Sequence, residues 1–76
     1  MSNPWAEEGV ALLEKAAGQG HAYAMDVLGG VFRRWKEHER SLAWYAKGAE
    51  AGLPTAMFNY GRGLHSFTFE LNLSRS

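Results

Sequence analysis

Residues 41–64, SLAWYAKGAEAGLPTAMFNYGRGL, repeat the pattern of residues 9–32, GVALLEKAAGQGHAYAMDVLGGVF, when the chain is shifted by 32 positions. Seven of the 24 aligned pairs are identical, and most of them are the small residues and turn glycines that a helical hairpin requires. The identical pairs are Ala11/Ala43, Lys15/Lys47, Ala17/Ala49, Gly20/Gly52, Ala24/Ala56, Met25/Met57 and Gly29/Gly61. An internal repeat of this length is typical of helical repeat architectures.

Each unit is predicted to form a helix, a turn and a second helix. In unit one, Pro4 suits the first position of a helix over residues 4–18, with Asn3 as its cap. Gly20 then ends this helix in the left-handed conformation. The return helix is expected over about residues 22–36, because apolar residues recur there at steps of three and four.

Unit two repeats these signals. Gly52 takes the place of Gly20, and Pro54 suits the first turn of the last helix, where its missing N–H costs nothing. The positions expected to face the core along the two return helices are Met25, Leu28, Phe32 and Trp35 in unit one and Met57, Tyr60, Gly61 and Leu64 in unit two.

Small residues are placed where antiparallel helices would have to approach to about 8 Å, the close end of the normal range. Larger side chains at these positions would force each hairpin open. The positions are Ala17, Ala24 and Gly29 in unit one and Ala49, Ala56 and Gly61 in unit two.

The motif Trp44-Tyr45-x-Lys47-x-Ala49-Glu50-x-Gly52, followed by Ala56 and Tyr60-Gly61, resembles the Sel-1-like repeat family, which is related to the tetratricopeptide repeats. The resemblance covers about residues 9–64. It implies a right-handed superhelix of helical hairpins and the role of an adaptor that holds other proteins together. The family has a period of about 36 with a glycine-rich loop between units, whereas the connection here is shorter. This departure leaves open a second helix that runs on into Arg40, with the inter-unit turn tightened or relocated.

The expected fold class is therefore all-α, with two antiparallel helical hairpins stacked as a short α-solenoid. The repeat domain covers residues 1–64, with unit one at about 4–38 and unit two at about 39–64. Residues 65–76, HSFTFELNLSRS, alternate apolar and polar residues with period two, which is typical of a strand. Because a lone strand cannot satisfy its own backbone groups, we expect an irregular or strand-like, mobile tail.

Composition narrows the possible functions. A chain of 76 residues holds one small domain, and such a domain cannot easily enclose an active-site cavity. Eight basic and eight acidic residues give a net charge of zero, which removes the usual electrostatic basis for binding nucleic acid. The absence of cysteine excludes disulfides and thiolate metal sites.

No residue pattern points to catalysis. His21, His38 and His65 are far apart and lack the spacing of metal ligands. We therefore expect no enzyme activity, no cofactor and no metal. The sequence also lacks a signal peptide and a long apolar run, which predicts a cytoplasmic location and no membrane partner.

The sequence thus predicts a protein–protein interaction scaffold that binds a protein or peptide partner. Trp44 is the expected anchor, because interface energy concentrates in aromatic and arginine residues, and inter-helix packing is the alternative role for this side chain. The predicted binding residues lie on the outer side of the first helix of each unit and are Glu8, Leu12, Lys15, Arg40, Trp44 and Lys47.

Two other functions stay open at this stage. The chain could be a self-associating fragment of a longer repeat protein, a homo-oligomer whose exposed last helix is covered by a second copy. It could also bind nucleic acid weakly through residues 33–36, Arg-Arg-Trp-Lys, by charge and stacking. The acidic residues Glu37 and Glu39 follow this cluster at once, and such a mixed-sign face is more typical of a solvated helix surface.

Overall fold

The computed structural model describes residues 4–75, and the side chains of residues 7–73. This part of the chain is all-helical and contains no strand. Its four helices are α1 (Pro4–Gly18), α2 (Ala22–Arg34), α3 (His38–Glu50) and α4 (Pro54–Arg75). The predicted bounds of α1 and the predicted start of α4 at Pro54 are confirmed, and the predicted cap Asn3 lies outside the described residues.

The three turns between the helices share one hydrogen-bonded geometry. Gly20 and Gly52 both have a φ of 92°, as predicted for left-handed caps, and Lys36 has a φ of 61°. After each of these residues, the next backbone N–H reaches back to the last turn of the helix. In the turn after α2, the N–H of Glu37 donates to the carbonyl of Phe32 at 2.9 Å. This is the Schellman motif.

The expected helix over about residues 22–36 is confirmed to within two residues, whereas the possibility that it runs on into Arg40 is wrong. Helix α2 ends at Arg34, and α3 begins at His38. The helix ends here because Lys36 adopts the left-handed conformation, in which its N–H donates to the carbonyl of Arg33 at 3.0 Å. The inter-unit turn is therefore three residues long and lacks glycine.

Helix α2 is the centre of the fold, because it packs against α1 on one side and α3 on another, and α3 in turn packs against α4. Leu28 and Phe32 of α2 are buried, as predicted. Trp35, which was expected to cover the edge of the core or to belong to a binding patch, is 46% exposed, lies beyond the end of α2 and makes an edge-to-face contact with Phe32. The buried apolar residues of the described chain are Ala17, Ala24, Leu28, Phe32, Tyr45 and Ala56.

Two glycines allow the closest helix contacts. A β-carbon on Gly29 would lie 2.5 Å from the ring of Tyr45, and one on Gly48 would lie 2.8 Å from the β-carbon of Ala56. The prediction for Gly29 is confirmed, whereas Gly48 was not identified from the sequence. Gly61 was expected to be a similar contact, but a β-carbon there would meet no atom within 4 Å.

The prediction of an irregular or strand-like tail is wrong for residues 65–75, which continue α4 without a break at Leu64. A helix satisfies the backbone groups that a lone strand would leave open. Two side chains of this segment also reach one residue of α3. The centre of the Phe67 ring lies 6.1 Å from the centre of the His38 ring, and Oε2 of Glu70 lies 3.5 Å from Nε2 of His38.

Candidate functional site

The predicted binding residues are divided between two helices whose backbones do not approach each other. Glu8, Leu12 and Lys15 lie exposed on α1, and Leu12 keeps 66% of its surface open. Within residues 4–75, no Cα atom of α1 comes within 8 Å of one in α3. The structure therefore does not bring the six residues together as one compact site.

Trp44 packs between helices, which was the alternative to its predicted role as a binding anchor, and the anchor role stays a prediction. It is half-buried and packs against the same buried cluster as Val10 and Leu13 of α1. The ammonium of Lys47 lies 4.7 Å from the centre of the Trp44 ring, a cation–π distance. The open part of the ring thus lies on α3 next to a cation, and the cluster that supports it is shared with α1.

Arg40 belongs to a different neighbourhood, at the junction of α2 and α3. Its guanidinium lies 5.2 Å from the centre of the Phe32 ring and 3.7 Å from Oε1 of Glu37. These contacts hold the start of α3 against the end of α2. They place the guanidinium of Arg40 at this junction, on the same helix as Trp44 and Lys47.

A cavity of about 440 Å³, which the sequence did not predict, lies between this junction and α4. Three basic side chains, Arg33, Lys36 and His38, line it beside the carboxylate of Glu70. Two of them belong to the 33–36 cluster, and that cluster was the available signal. The full lining is Arg33, Lys36, His38, Ser41, Leu42, Gly63, Ser66 and Glu70.

Polar side chains of α2, α3 and α4 also interact in the interior of the fold. Burial raises the pKa of the Tyr45 hydroxyl, and the Asp26 carboxylate raises it further, while the positive charge of Arg33 acts in the opposite direction. Asp26 also accepts a hydrogen bond of 3.0 Å from the side-chain amide of Asn59 on α4. These contacts give Asp26 a structural role that its position in the sequence did not reveal.

The largest difference between the predicted and the observed core lies on the outer face of α4, where predicted core residues are exposed. Met57 and Leu64 were expected to be core residues but are 51% and 43% exposed. Between them, Gly61 opens a groove of about 470 Å³, whose walls include Phe58 and His65. The prediction failed because it assigned to α4 the face that α2 buries under α3, and no helix of the described chain covers α4 there.

Residues 4–75 contain no cluster of three histidine, aspartate or glutamate residues that could hold a metal ion. None of the helices in this range combines the length and apolar character needed to cross a membrane. The chain matches no family model, no curated protein and no solved structure.

Proposed function

We propose that the chain is a protein-interaction scaffold of helical repeats with no chemistry of its own. The observation that carries this proposal is the number of large apolar side chains exposed on an otherwise folded helical surface. Contiguous exposed apolar surface is typical of sites that bind other proteins. These side chains include Leu12 on α1 and Met57, Phe58, Leu64, Phe69 and Leu71 on α4.

The dimensions of the molecule support the short solenoid. Its smallest extent, measured over Cα atoms, is 14 Å. Two layers of helices with axes about 8–10 Å apart, each with a Cα radius of about 2.3 Å, have a thickness of about 13–15 Å. A layer of α1 and α3 over a layer of α2 and α4 fits this value. The repeated glycine turns at Gly20 and Gly52 and the resemblance to Sel-1-like repeats favour the same arrangement.

In this arrangement, the outer face of α1 and α3 forms the peptide-binding surface. Leu12 offers an open apolar side chain, and the half-buried Trp44 ring offers an aromatic anchor with Lys47 beside it. A suitable partner is a peptide with an apolar residue that contacts Trp44 and an acidic residue that pairs with Lys47.

Selection from a displayed library of random peptides, with the purified chain as bait, tests this proposal. Fluorescence anisotropy then measures the affinity of each enriched peptide. We expect Leu12→Ser and Lys47→Glu each to weaken binding at least about tenfold, because hot-spot residues have effects of this size. Tyr23→Ser is the matched control, since Tyr23 is 72% exposed on α2. A library that yields no peptide, or peptides that bind Leu12→Ser and Lys47→Glu as well as the original chain, would contradict the proposal.

A further inference from the structure

Five residues on the exposed side of α4 follow the spacing of a coiled-coil seam. Met57, Gly61, Leu64, Thr68 and Leu71 are separated by steps of four, three, four and three, the a/d pattern of a heptad. All five are partly or fully open to solvent, including Leu71 at 46%. The large residues Met57, Leu64 and Leu71 occupy one heptad position, and the small residues Gly61 and Thr68 occupy the other. Helix α4 is 22 residues long, so the seam extends for about two heptads.

The seam can be buried in an interface without leaving a polar side-chain group that lacks a hydrogen-bond partner. Thr68 is its only member with a polar side chain, and its hydroxyl donates to the carbonyl of Leu64 at 2.8 Å. Gly61 adds no side chain, and the space above it is open. Covering the seam with apolar surface therefore avoids the usual cost of burying an unpaired hydroxyl.

We propose that this seam pairs with the same seam of a second copy of the chain, with the two α4 helices antiparallel around a two-fold axis near Ser66. In this register Gly61 faces Leu71 of the second copy, and Leu64 faces Thr68 of the second copy. The two-fold axis repeats both pairs in reverse. Each of these layers then sets a large side chain against a small one, which allows the close approach that packed helices require, and Met57 lies beyond them at the end of the seam. This inference goes beyond the peptide surface on α1 and α3 and does not depend on it.

The apolar area is adequate for such a dimer. At roughly 200 Å² for a fully exposed large apolar side chain, Met57, Phe58, Leu64 and Leu71 together expose about 400 Å². A standard interface buries about 800 Å² per partner, and about 60% of that area is apolar. The seam and its flank therefore supply most of the apolar area that a stable dimer uses.

Charge also favours pairing of α4 with α4. Between residues 57 and 73, Arg62 and Glu70 are the only fully charged side chains, and Glu70 is turned toward His38 of its own chain. The alternative head-to-tail contact would set the seam against α1. The outer face of α1 carries several exposed glutamates, and Leu12 is its one strongly exposed large apolar residue among the side chains described. Antiparallel pairing of two seams avoids placing carboxylates against apolar surface.

Sedimentation equilibrium of the full chain tests the oligomeric state. We expect a dimer whose dissociation constant rises at least tenfold in Leu64→Glu and in Gly61→Leu. The second variant improves helix propensity, and its β-carbon meets no atom of its own chain within 4 Å, so we expect the fold to be retained while two large residues are forced to face each other. Tyr23→Glu, on the exposed surface of α2, is the control that should stay dimeric, and Leu12→Ser should also stay dimeric.

Engineered cysteines test the antiparallel register, because the chain has no cysteine of its own. Oxidation of a mixture of Gly61→Cys and Leu71→Cys should give the mixed disulfide, and neither variant alone should cross-link efficiently. A monomer at all concentrations would overturn the proposal. A polymer that dissociates in Leu12→Ser would also overturn it, because it indicates head-to-tail contact. Efficient cross-linking of either cysteine variant alone would overturn it as well, because it indicates parallel pairing.

Discussion

The ring of Tyr45 lies over Gly29 so closely that a β-carbon on Gly29 would be 2.5 Å from two of the ring carbons. On the same side of α2, the buried hydroxyl of Ser41 donates to the carbonyl of Gly29 at 2.7 Å. One glycine thus receives two side chains from successive turns of α3. The contact between α2 and α3, which is the most extensive in the fold, depends on the absence of a side chain at this position.

Gly29→Ala is expected to lower the free energy of unfolding by roughly 1–3 kcal/mol, because the added methyl group overlaps the Tyr45 ring and overpacks the core. Gly9→Ala is the matched control. Gly9 also lies within a helix, but a β-carbon there meets no atom within 4 Å, so this change should stabilise the chain by about 0.5–1 kcal/mol. Urea unfolding of both variants measures these effects. Equal stability changes in the two variants would contradict the close contact.

Local signals predicted most of the helix boundaries. Pro4, Gly20, Gly52 and Pro54 each act within one turn of the chain, and the structure confirms all four. Lys36 was missed because only a glycine or asparagine at such a position signals a left-handed cap in the sequence. In the structure, this conformation of Lys36 accompanies the hydrogen bond from the N–H of Glu37 to the carbonyl of Phe32.

It was harder to predict which face of each helix is buried than to predict the helices themselves. The repeat aligns Gly61 with Gly29 and so predicted a close contact at both positions. The contact at Gly29 exists because α3 supplies Tyr45, and the described chain supplies no helix at the corresponding place on α4. A repeat in the sequence predicts equivalent positions within units, whereas burial depends on what packs next to each unit. For the same reason, the cavity beside Lys36 could not be derived from spacing alone.

Lys36→Gly should stabilise the chain. Lys36 has a φ of 61°, a conformation that costs a non-glycine residue roughly 1–2 kcal/mol. Glycine adopts it freely, although the greater flexibility of the unfolded chain reduces the gain, so we expect about 0.5–1 kcal/mol. Gly52→Val tests the converse, because a β-branched residue at a φ of 92° is strained, and it should cost more stability than His21→Ala. Thermal unfolding followed by circular dichroism checks both changes. A loss of stability in Lys36→Gly would show that Lys36 contributes more through its side chain than it costs through its backbone.

Tyr45 should make the chain sensitive to alkaline pH. Burial and the Asp26 carboxylate raise the pKa of the Tyr45 hydroxyl in the folded state, whereas in the unfolded state it is about 10. Above this pH the unfolded state loses the proton while the folded state retains it, so the free energy of unfolding falls as pH rises. Well below this pH, the Tyr45 hydroxyl stays protonated in both states and does not change the slope of the free energy of unfolding against pH.

The comparison of the original chain with Tyr45→Phe isolates this contribution. Urea midpoints measured between pH 9 and 11 should fall more steeply in the original chain, because phenylalanine has no proton to lose. All other residues are the same in the two proteins, so the difference between the two profiles reports Tyr45. Parallel pH profiles would show that the folded and unfolded states bind the Tyr45 proton equally.

Truncation after Leu64 tests whether residues 65–75 are helical in solution. The structure assigns eleven residues of α4 to this segment, so the molar helical signal in far-ultraviolet circular dichroism should fall in proportion to the helical residues removed. Stability should also fall slightly, because His38 loses its contacts with Phe67 and Glu70. Thr68→Pro in the full chain should remove part of the same signal, since proline inside a helix costs about 3 kcal/mol or more, and Thr68→Ala is its control. A molar signal that truncation leaves unchanged would mean that this segment adopts no helix, and the strand-like tail expected from its period-two pattern would then be correct.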